Sequence, residues 1–261
     1  MRLKRLLSCL ALLAVLPALG LFAGCRVVSG SGETVTYEMD YSDFSKLDIS
    51  NSFEVRITRD NKFLVSITID KALNEYLNVD QRGDTLRIGL ESGSIYTNTR
   101  QEAVITLPEL RRLELSGASR ARVAGFSTSD SAEYELSGAS RLALDDIKSG
   151  DASMKLSGAS EVTGKLVISN GNFDLSGAST IEIEGSASDI TIDGSDASDI
   201  MLADFPVDNA SISLSGASSA IVRLDGRMDL DLSGASRVEY IGEPKLGSMN
   251  LSGGSRIEQR K

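Results

Sequence analysis

Short runs of alternating apolar and polar residues recur eight times between about residue 111 and the C-terminus. Each run ends in a version of one phrase, Leu-Ser-Gly-Ala-Ser. The position two residues before the phrase is apolar in every run: Leu113, Tyr134, Met154, Phe173, Ile190, Ile212, Leu230 and Met249. The residue between that position and the phrase is always polar. Because successive side chains of a strand point to opposite faces, each run is predicted to be a strand with one buried face.

The phrase repeats at a nearly constant spacing. Six copies are verbatim, beginning at Leu115, Leu136, Leu156, Leu175, Leu214 and Leu232. A seventh copy, at Leu251, reads Leu-Ser-Gly-Gly-Ser, and a degraded eighth begins at Ile192. We interpret Asp196 in the degraded copy as an inserted residue that forms a bulge. The mean step of about 19.4 residues is typical of a solenoid in which each repeat is one coil.

Further apolar positions follow each phrase. The first is Ala121, Leu142, Val162, Ile181, Ile200, Ala220, Val238 and Ile257. Another lies further on, for example Phe126, Ile147, Phe205, Leu224 and Leu246. Three short strands therefore fit in one repeat, with corners whose glycines can adopt a positive φ and whose serine hydroxyls can satisfy backbone groups. The pattern predicts an all-β fold, a single-stranded parallel β-helix with about 19 to 20 residues per coil.

The chain before residue 111 lacks this regularity. Strands are predicted at residues 34–39, 47–49, 53–57 and 63–69, followed by a helical turn capped by Asp70. Residues 77–90 are predicted to form a hairpin, and residues 96–101 an exposed loop. Residues 34–110 should thus supply capping strands and the first coils, and residues 111–261 the regular coils. An end cap is needed because an uncovered coil exposes a strand edge, and at the C-terminus little chain remains to cover one.

Residues 1–24 have the pattern of an export signal, with a basic start, an apolar stretch and small residues before Cys25. Their end resembles the lipobox of bacterial lipoproteins, although Phe22 stands where Leu is usual. This resemblance implies cleavage before Cys25, lipidation of Cys25 and anchoring to the cell envelope, at the outer membrane or cell surface in a cell with two membranes. A plain secretory signal cut near Ala23 and an uncleaved anchor are the alternatives. Residues 25–33 are predicted to be a flexible tether.

The amino-acid composition limits the kinds of catalytic and metal-binding site that the protein could form. The chain has no His, and its two cysteines are Cys9, within the signal, and Cys25. The mature domain therefore lacks the commonest general base, a thiol nucleophile and the usual transition-metal ligands, so we predict no enzyme activity, no cofactor and no metal site. With 37 acidic against 27 basic residues, the chain should repel nucleic acid.

Carboxylates are the remaining candidates for chemistry. Paired acids could hydrolyse glycans, as enzymes with β-helix folds do, and the candidates are Asp145, Asp146, Asp174, Asp193, Asp196 and Asp199. The last three could also bind calcium through oxygen ligands. A solvated acidic loop around a bulge explains them more simply.

Several segments resemble the bacterial family called putative auto-transporter adhesin, head GIN domain. They are Phe44-Ser45-Lys46-Leu47-Asp48-Ile49, Phe53-Glu54-Val55-Arg56-Ile57, Thr85-Leu86-Arg87-Ile88, Val104-Ile105-Thr106-Leu107-Pro108 and the Leu-Ser-Gly-Ala-Ser coils. The resemblance covers residues 41–257 and implies a cell-surface β-helix. It supplies no catalytic residues.

Three function classes remain: a surface binding module or adhesin, an envelope structural or sensory accessory protein with a protein partner, and a polysaccharide hydrolase or lyase. On the strand after each corner, the residue between the inward positions should face solvent. Met201 and Ile221 occupy that position in adjacent coils, where an apolar pair would be a candidate docking patch for an unknown protein or glycan partner. A bulge at Asp196 would instead shift the register and turn Met201 inward.

Overall fold

The computed structural model describes residues 26–260, so the predicted signal peptide and Cys25 lie outside the described residues. The described chain is all-β, apart from one short 3₁₀ turn, η1, at Lys71–Leu73. No helix in residues 26–260 is long and apolar enough to span a membrane. The N-terminal strands are β1 (Arg26–Ser29), β2 (Thr34–Met39), β3 (Lys46–Ile49), β4 (Glu54–Arg59), β5 (Leu64–Asp70), β6 (Leu77–Arg82), β7 (Thr85–Leu90), β8 (Ser94–Thr97) and β9 (Gln101–Leu107).

The remaining strands form the regular coils. They are β10 (Arg112–Leu115), β11 (Arg120–Ala124), β12 (Ala132–Leu136), β13 (Arg141–Lys148), β14 (Ala152–Leu156), β15 (Glu161–Val167), β16 (Asn170–Leu175), β17 (Thr180–Gly194), β18 (Asp199–Leu214), β19 (Ser219–Leu224), β20 (Arg227–Leu232), β21 (Arg237–Ile241), β22 (Lys245–Leu251) and β23 (Arg256–Gln259). Each pairs in parallel with the strand one coil away, which confirms the predicted parallel β-solenoid.

Two faces of the solenoid are continuous ladders. The strand before each corner builds the first face, in the order β7, β3, β10, β12, β14, β16, β17, β18, β20 and β22. The strand after each corner builds the second, in the order β9, β4, β11, β13, β15, β17, β18, β19, β21 and β23. The long strands β17 and β18 contribute to both faces, because each begins on the second face, runs around the third side of the coil and ends on the first face.

Antiparallel strands close the N-terminal end, as the sequence predicts. Strand β6 pairs with β7, and β5 pairs with both β9 and β2, so β6 and β2 are the outermost strands of the two faces. The turn after β5 is capped by Asp70, whose side chain accepts a hydrogen bond from the backbone N–H of Ala72 at 2.9 Å. The hairpin at residues 77–90 and the Asp70 cap are both confirmed.

The predicted inward columns form the core. Tyr134, Met154 and Phe173 are buried, as are Leu142, Val162 and Ile181 on the second face, whereas the stacked equivalent Met249 in the last coil is half-buried. Burial of apolar side chains in stacked columns is the main favourable contribution that each coil makes to stability. The sequence placed Leu246 in the third apolar position, but Leu246 pairs with Met228 at the start of the first-face strand and is 52% exposed.

The prediction for the degraded repeat is wrong by two residues. Ile192, not Ile190, stacks on Phe173, and Gly194 stacks on Leu175. Asp196 is therefore not an inserted bulge residue; it takes the corner position that glycine holds elsewhere, with a φ of 63°. The Cδ2 atom of Leu214 lies 2.7 Å from where a Cβ atom of Gly194 would be, so the leucine of the next coil fills the space of the missing side chain.

The prediction of a flexible tether is also wrong, and the prediction of an exposed loop at residues 96–101 holds only for residues 98–100. Residues 26–29 of the expected tether are strand β1, which pairs in parallel with β8. The expected exposed loop at residues 96–101 contains the end of β8 and the start of β9. At the other end of the solenoid, Leu246 and Leu251 on the last first-face strand are exposed, as the sequence led us to expect for a poorly covered edge.

Candidate partner-docking surface

Met201 and Ile221 face outward on the second face of the solenoid. Met201 on β18 pairs with Glu182 on β17 and with Ile221 on β19. Their chain neighbours Leu202 and Val222 are fully buried, so the two-residue period of the strands turns Met201 and Ile221 away from the core. The alternative, in which a bulge at Asp196 turns Met201 inward, is thereby contradicted.

The column that contains the two residues is otherwise mostly polar. It runs Arg122, Ala143, Thr163, Glu182, Met201, Ile221 and Glu239. Met201 and Ile221 are half-buried, and neighbouring strands lie about 4.8 Å apart, so the two side chains are adjacent. The result is a small apolar patch on a charged wall.

The patch lies in an open groove of about 870 Å³ along the second face. At the end nearer the N-terminal cap, two ion pairs line the groove: Arg122 with Asp145, and Lys165 with Asp146 at 3.0 Å. The hydrogen bond from Lys165 to Asp146 raises the pKa of Lys165 above its usual value. These groups are exposed, so each pair adds little to stability.

Carboxylates dominate the rest of the groove. Glu182, Glu184 and Asp204 line it and take part in no ion pair among residues 26–260, and Arg260 is the additional basic residue there. The groove therefore combines an apolar centre with a mainly acidic rim. The apolar pair was predicted from the sequence. The rim was not, because its ion pairs join residues of different coils, such as Lys165 and Asp146, that only the folded register brings together.

The carboxylates considered for catalysis are spread over both faces and a corner rather than gathered in one site. Asp145 and Asp146 are engaged in the ion pairs of the groove, whereas Asp174 and Asp193 stack as neighbours on the first face. Asp196 accepts a hydrogen bond from the backbone N–H of Gly177 at the corner, at 3.2 Å. Asp199 accepts one from the hydroxyl of Ser219 at 2.5 Å. In the described part of the chain, no group of three or more His, Cys, Asp or Glu side chains is placed to hold a metal ion.

A family model described as putative auto-transporter adhesin, head GIN domain, matches residues 43–244. The chain belongs to this family. Membership confirms the resemblance found in the sequence and associates the chain with an adhesin-like role at the cell surface or envelope. A comparison with curated proteins found no match.

Solved structures share the fold. A putative adhesin from Parabacteroides merdae has a TM-score of 0.83 at 17% identity. A putative lipid binding protein and a putative adhesin from Parabacteroides distasonis have TM-scores of 0.85 and 0.81 at 18% and 19% identity. Each match covers 90% of this chain and 100% of the other. At these identities the likeness concerns the solenoid itself.

Proposed function

We propose that this protein is a non-enzymatic envelope lipoprotein, anchored through Cys25, that binds a partner through the Met201–Ile221 patch. Family membership supports the adhesin-like part of the proposal. The observation that carries the docking surface is the outward position of two adjacent apolar side chains within a groove of the second face. Exposed apolar clusters with a polar rim are typical of interaction sites.

A protein partner fits this patch better than a glycan. Glycan sites present aromatic rings on an exposed face, whereas the coil aromatics Tyr134 and Phe173 are buried in the inward columns. Met and Ile suit an apolar side chain of another protein, since Met adapts its shape to irregular surfaces. An envelope accessory role with a protein partner would use the same surface, so it remains the alternative form of the proposal.

The test replaces the patch by charge. The double variant Met201→Glu, Ile221→Glu should keep its melting temperature within about two degrees, because both side chains face outward. It should lose most adhesion of whole cells to the surface or cell type that the wild type binds. The matched control is Thr191→Glu, Ser211→Glu, an exposed pair stacked in register on β17 and β18 of the first face.

Two results would contradict the proposal. Unfolding of the patch variant alone would mean that Met201 and Ile221 belong to the core. Equal adhesion by wild type, patch variant and control would mean that the second face is not the contact surface. A glycan array probed with the same three proteins separates the partner classes: patch-dependent glycan binding would overturn the preference for a protein partner.

A further inference from the structure

Strands β1 and β8 form a two-stranded sheet that is separate from the 21-stranded sheet of the solenoid. We call this pair the N-terminal ribbon. In its register Val27 lies opposite Ile95, and Val28 lies opposite Tyr96. Val28 is 9% exposed and packs on the core, so the alternation turns Val27 and Ile95 outward, where they are 63% and 49% exposed. Two large apolar side chains therefore stand side by side in solvent.

The outer face of the ribbon carries no charge. Its residues are Val27, Ser29, Ile95 and Thr97, on a chain with 37 acidic and 27 basic residues. Arg26, at the start of β1, is turned to the other side, where its guanidinium lies 5.3 Å from the ring centroid of Tyr76 and 3.5 Å from Glu75. An uncharged apolar face on an acidic protein is one that anionic headgroups would not repel.

The ribbon is fastened to the N-terminal cap immediately after β1. The buried carboxylate of Asp70 accepts hydrogen bonds from the backbone N–H and hydroxyl of Ser31, at 2.9 and 2.7 Å, and from the backbone N–H of Gly32 at 2.9 Å. The backbone N–H of Gly30 donates to the carbonyl of Thr97 at 2.9 Å. The chain is thus ordered from residue 26 onward, and no flexible linker separates Cys25 from the folded domain.

This connection limits how far the domain can lie from a lipid on Cys25. Three residues lead from Cys25 to the buried Val28, and an extended chain spans at most about 3.6 Å per residue, or about 11 Å in total. A lipid-bearing Cys25 sits at the bilayer surface. The ribbon must then lie within the thickness of the headgroup region, where apolar side chains are favourably buried.

We propose that the outer face of the N-terminal ribbon rests on the lipid bilayer, with Val27 and Ile95 inserted at the boundary between headgroups and acyl chains. This proposal rests on the lipidation of Cys25 proposed above. In this role the ribbon makes a membrane contact that sets the orientation of the solenoid relative to the bilayer. The Met201–Ile221 patch is carried away from the anchored end, because β18 lies six strand spacings from β9, about 29 Å along the stack.

The experiment uses the full lipidated chain, with an environment-sensitive fluorophore on a single introduced cysteine. Acylation blocks Cys25 and Cys9 leaves with the signal, so Ile95→Cys provides one free thiol in the mature protein. Leu246→Cys is the matched control, since Leu246 is 52% exposed but lies on the last coil. Each protein is reconstituted into phosphatidylethanolamine–phosphatidylglycerol vesicles that contain a lipid spin-labelled at the headgroup.

We expect the spin label to quench the probe at position 95 about twofold or more, as for a side chain within the interface, and to leave position 246 unquenched. A version of each protein that begins at Arg26, and so lacks both the signal and Cys25, should show no quenching at either position. Mass spectrometry of the same samples reports the lipid. If the lipid is present and position 95 is unquenched, the ribbon contact is wrong while the anchor stands. If the lipid is absent, the anchor is wrong and the ribbon proposal falls with it.

Discussion

A serine closes the corner in every copy of the repeated phrase. In each of the eight copies the hydroxyl of the second serine donates to the carbonyl of the first at 2.7 to 2.9 Å, for example from Ser179 to Ser176 and from Ser236 to Ser233. Ser179 is fully buried. This contact satisfies a corner carbonyl that strand pairing leaves free, which is the role that turn chemistry assigned to these serines from the sequence.

Leu175 and Ser176 test, at single residues, the assignment of alternate side chains to the inward and outward faces of the strand. Leu175 is 1% exposed and stacks between Leu156 and Gly194, so Leu175→Asp would bury a carboxylate without a partner. We expect a loss of about 3 kcal/mol or more in the free energy of unfolding. Ser176 is half-buried, with its hydroxyl 3.4 Å from the carbonyl of Leu156, so Ser176→Ala should cost about 1 kcal/mol or less. Equal losses in urea denaturation would show that this assignment is wrong.

Asp70 makes the stability of the N-terminal cap depend on pH. The backbone N–H of Ser31, helped by those of Ala72 and Gly32, lowers the pKa of Asp70 to about 2. The folded-state pKa is below the unfolded one, so this stabilisation is present above about pH 4 and is lost as the pH falls towards 2.

We therefore expect Asp70→Asn to lower the melting temperature at pH 7 and to differ little from the wild type near pH 2. Thermal denaturation at both pH values measures this. The control is Asp60→Asn, which alters an exposed carboxylate that accepts one backbone hydrogen bond from Lys62. A difference between wild type and Asp70→Asn that stays constant down to pH 2 would rule out the carboxylate as its source.

At the level of the coil, glycine at the corner meets two separate demands. Gly177 has a φ of 74°, and a Cβ atom there would lie 2.5 Å from the carbonyl oxygen of Gly158 in the preceding coil. Gly83, in the turn between β6 and β7, has a φ of 61° with no atom within 4 Å of its Cβ position. The first glycine is favoured by both conformation and stacking, the second by conformation alone.

Alanine substitutions at Gly83 and Gly177 separate the cost of the backbone conformation from the cost of the close contact between coils. Gly83→Ala should cost about 1 kcal/mol, the penalty for a left-handed non-glycine residue. Gly177→Ala should cost at least about 2 kcal/mol more, because the neighbouring backbone must also shift. Chemical denaturation of both variants supplies the comparison. Similar losses would mean that adjacent coils can move apart at the corner.

The degraded repeat shows what the pattern of a single chain can and cannot settle. The alternation of apolar and polar residues predicted the strands, the inward faces and the outward position of Met201. Each of these depends only on whether a residue lies an odd or an even number of positions from a buried one. It could not place Ile192, since Ile190 and Ile192 are both apolar and a slip of two residues preserves the face of every side chain. Only stacking against Phe173 and Leu175 decides the register, and it leaves Asp196 in a left-handed corner position.

The N-terminal segment is ordered because it contacts residues that are distant in the sequence. Residues 26–33 are rich in serine and glycine, as flexible linkers are, and their composition gave no reason to expect a strand. Their partners are β8 and the carboxylate of Asp70, which lies 39 residues from Ser31. The groove rim has a similar origin, since Lys165 meets Asp146 only because the coils place them side by side.

For the molecule as a whole, the stack of coils separates the end near the membrane from the face proposed to meet a partner. The antiparallel strands and the ribbon gather at the N-terminal end, next to the predicted lipid site. The groove with Met201 and Ile221 lies further along the second face. A single covalent anchor at one end would thus be enough to present the groove to the exterior.

The anchor itself is tested by exchanging each of the two cysteines for serine. Cys25→Ser should abolish incorporation of labelled fatty acid and leave the signal uncut by lipoprotein processing, because the thiol is the predicted attachment point. Cys9→Ser is the matched control: Cys9 lies within the predicted signal, so labelling and membrane fractionation should equal those of the wild type. Label on Cys25→Ser, or no label on the wild type, would mean that the protein reaches the envelope by a different attachment.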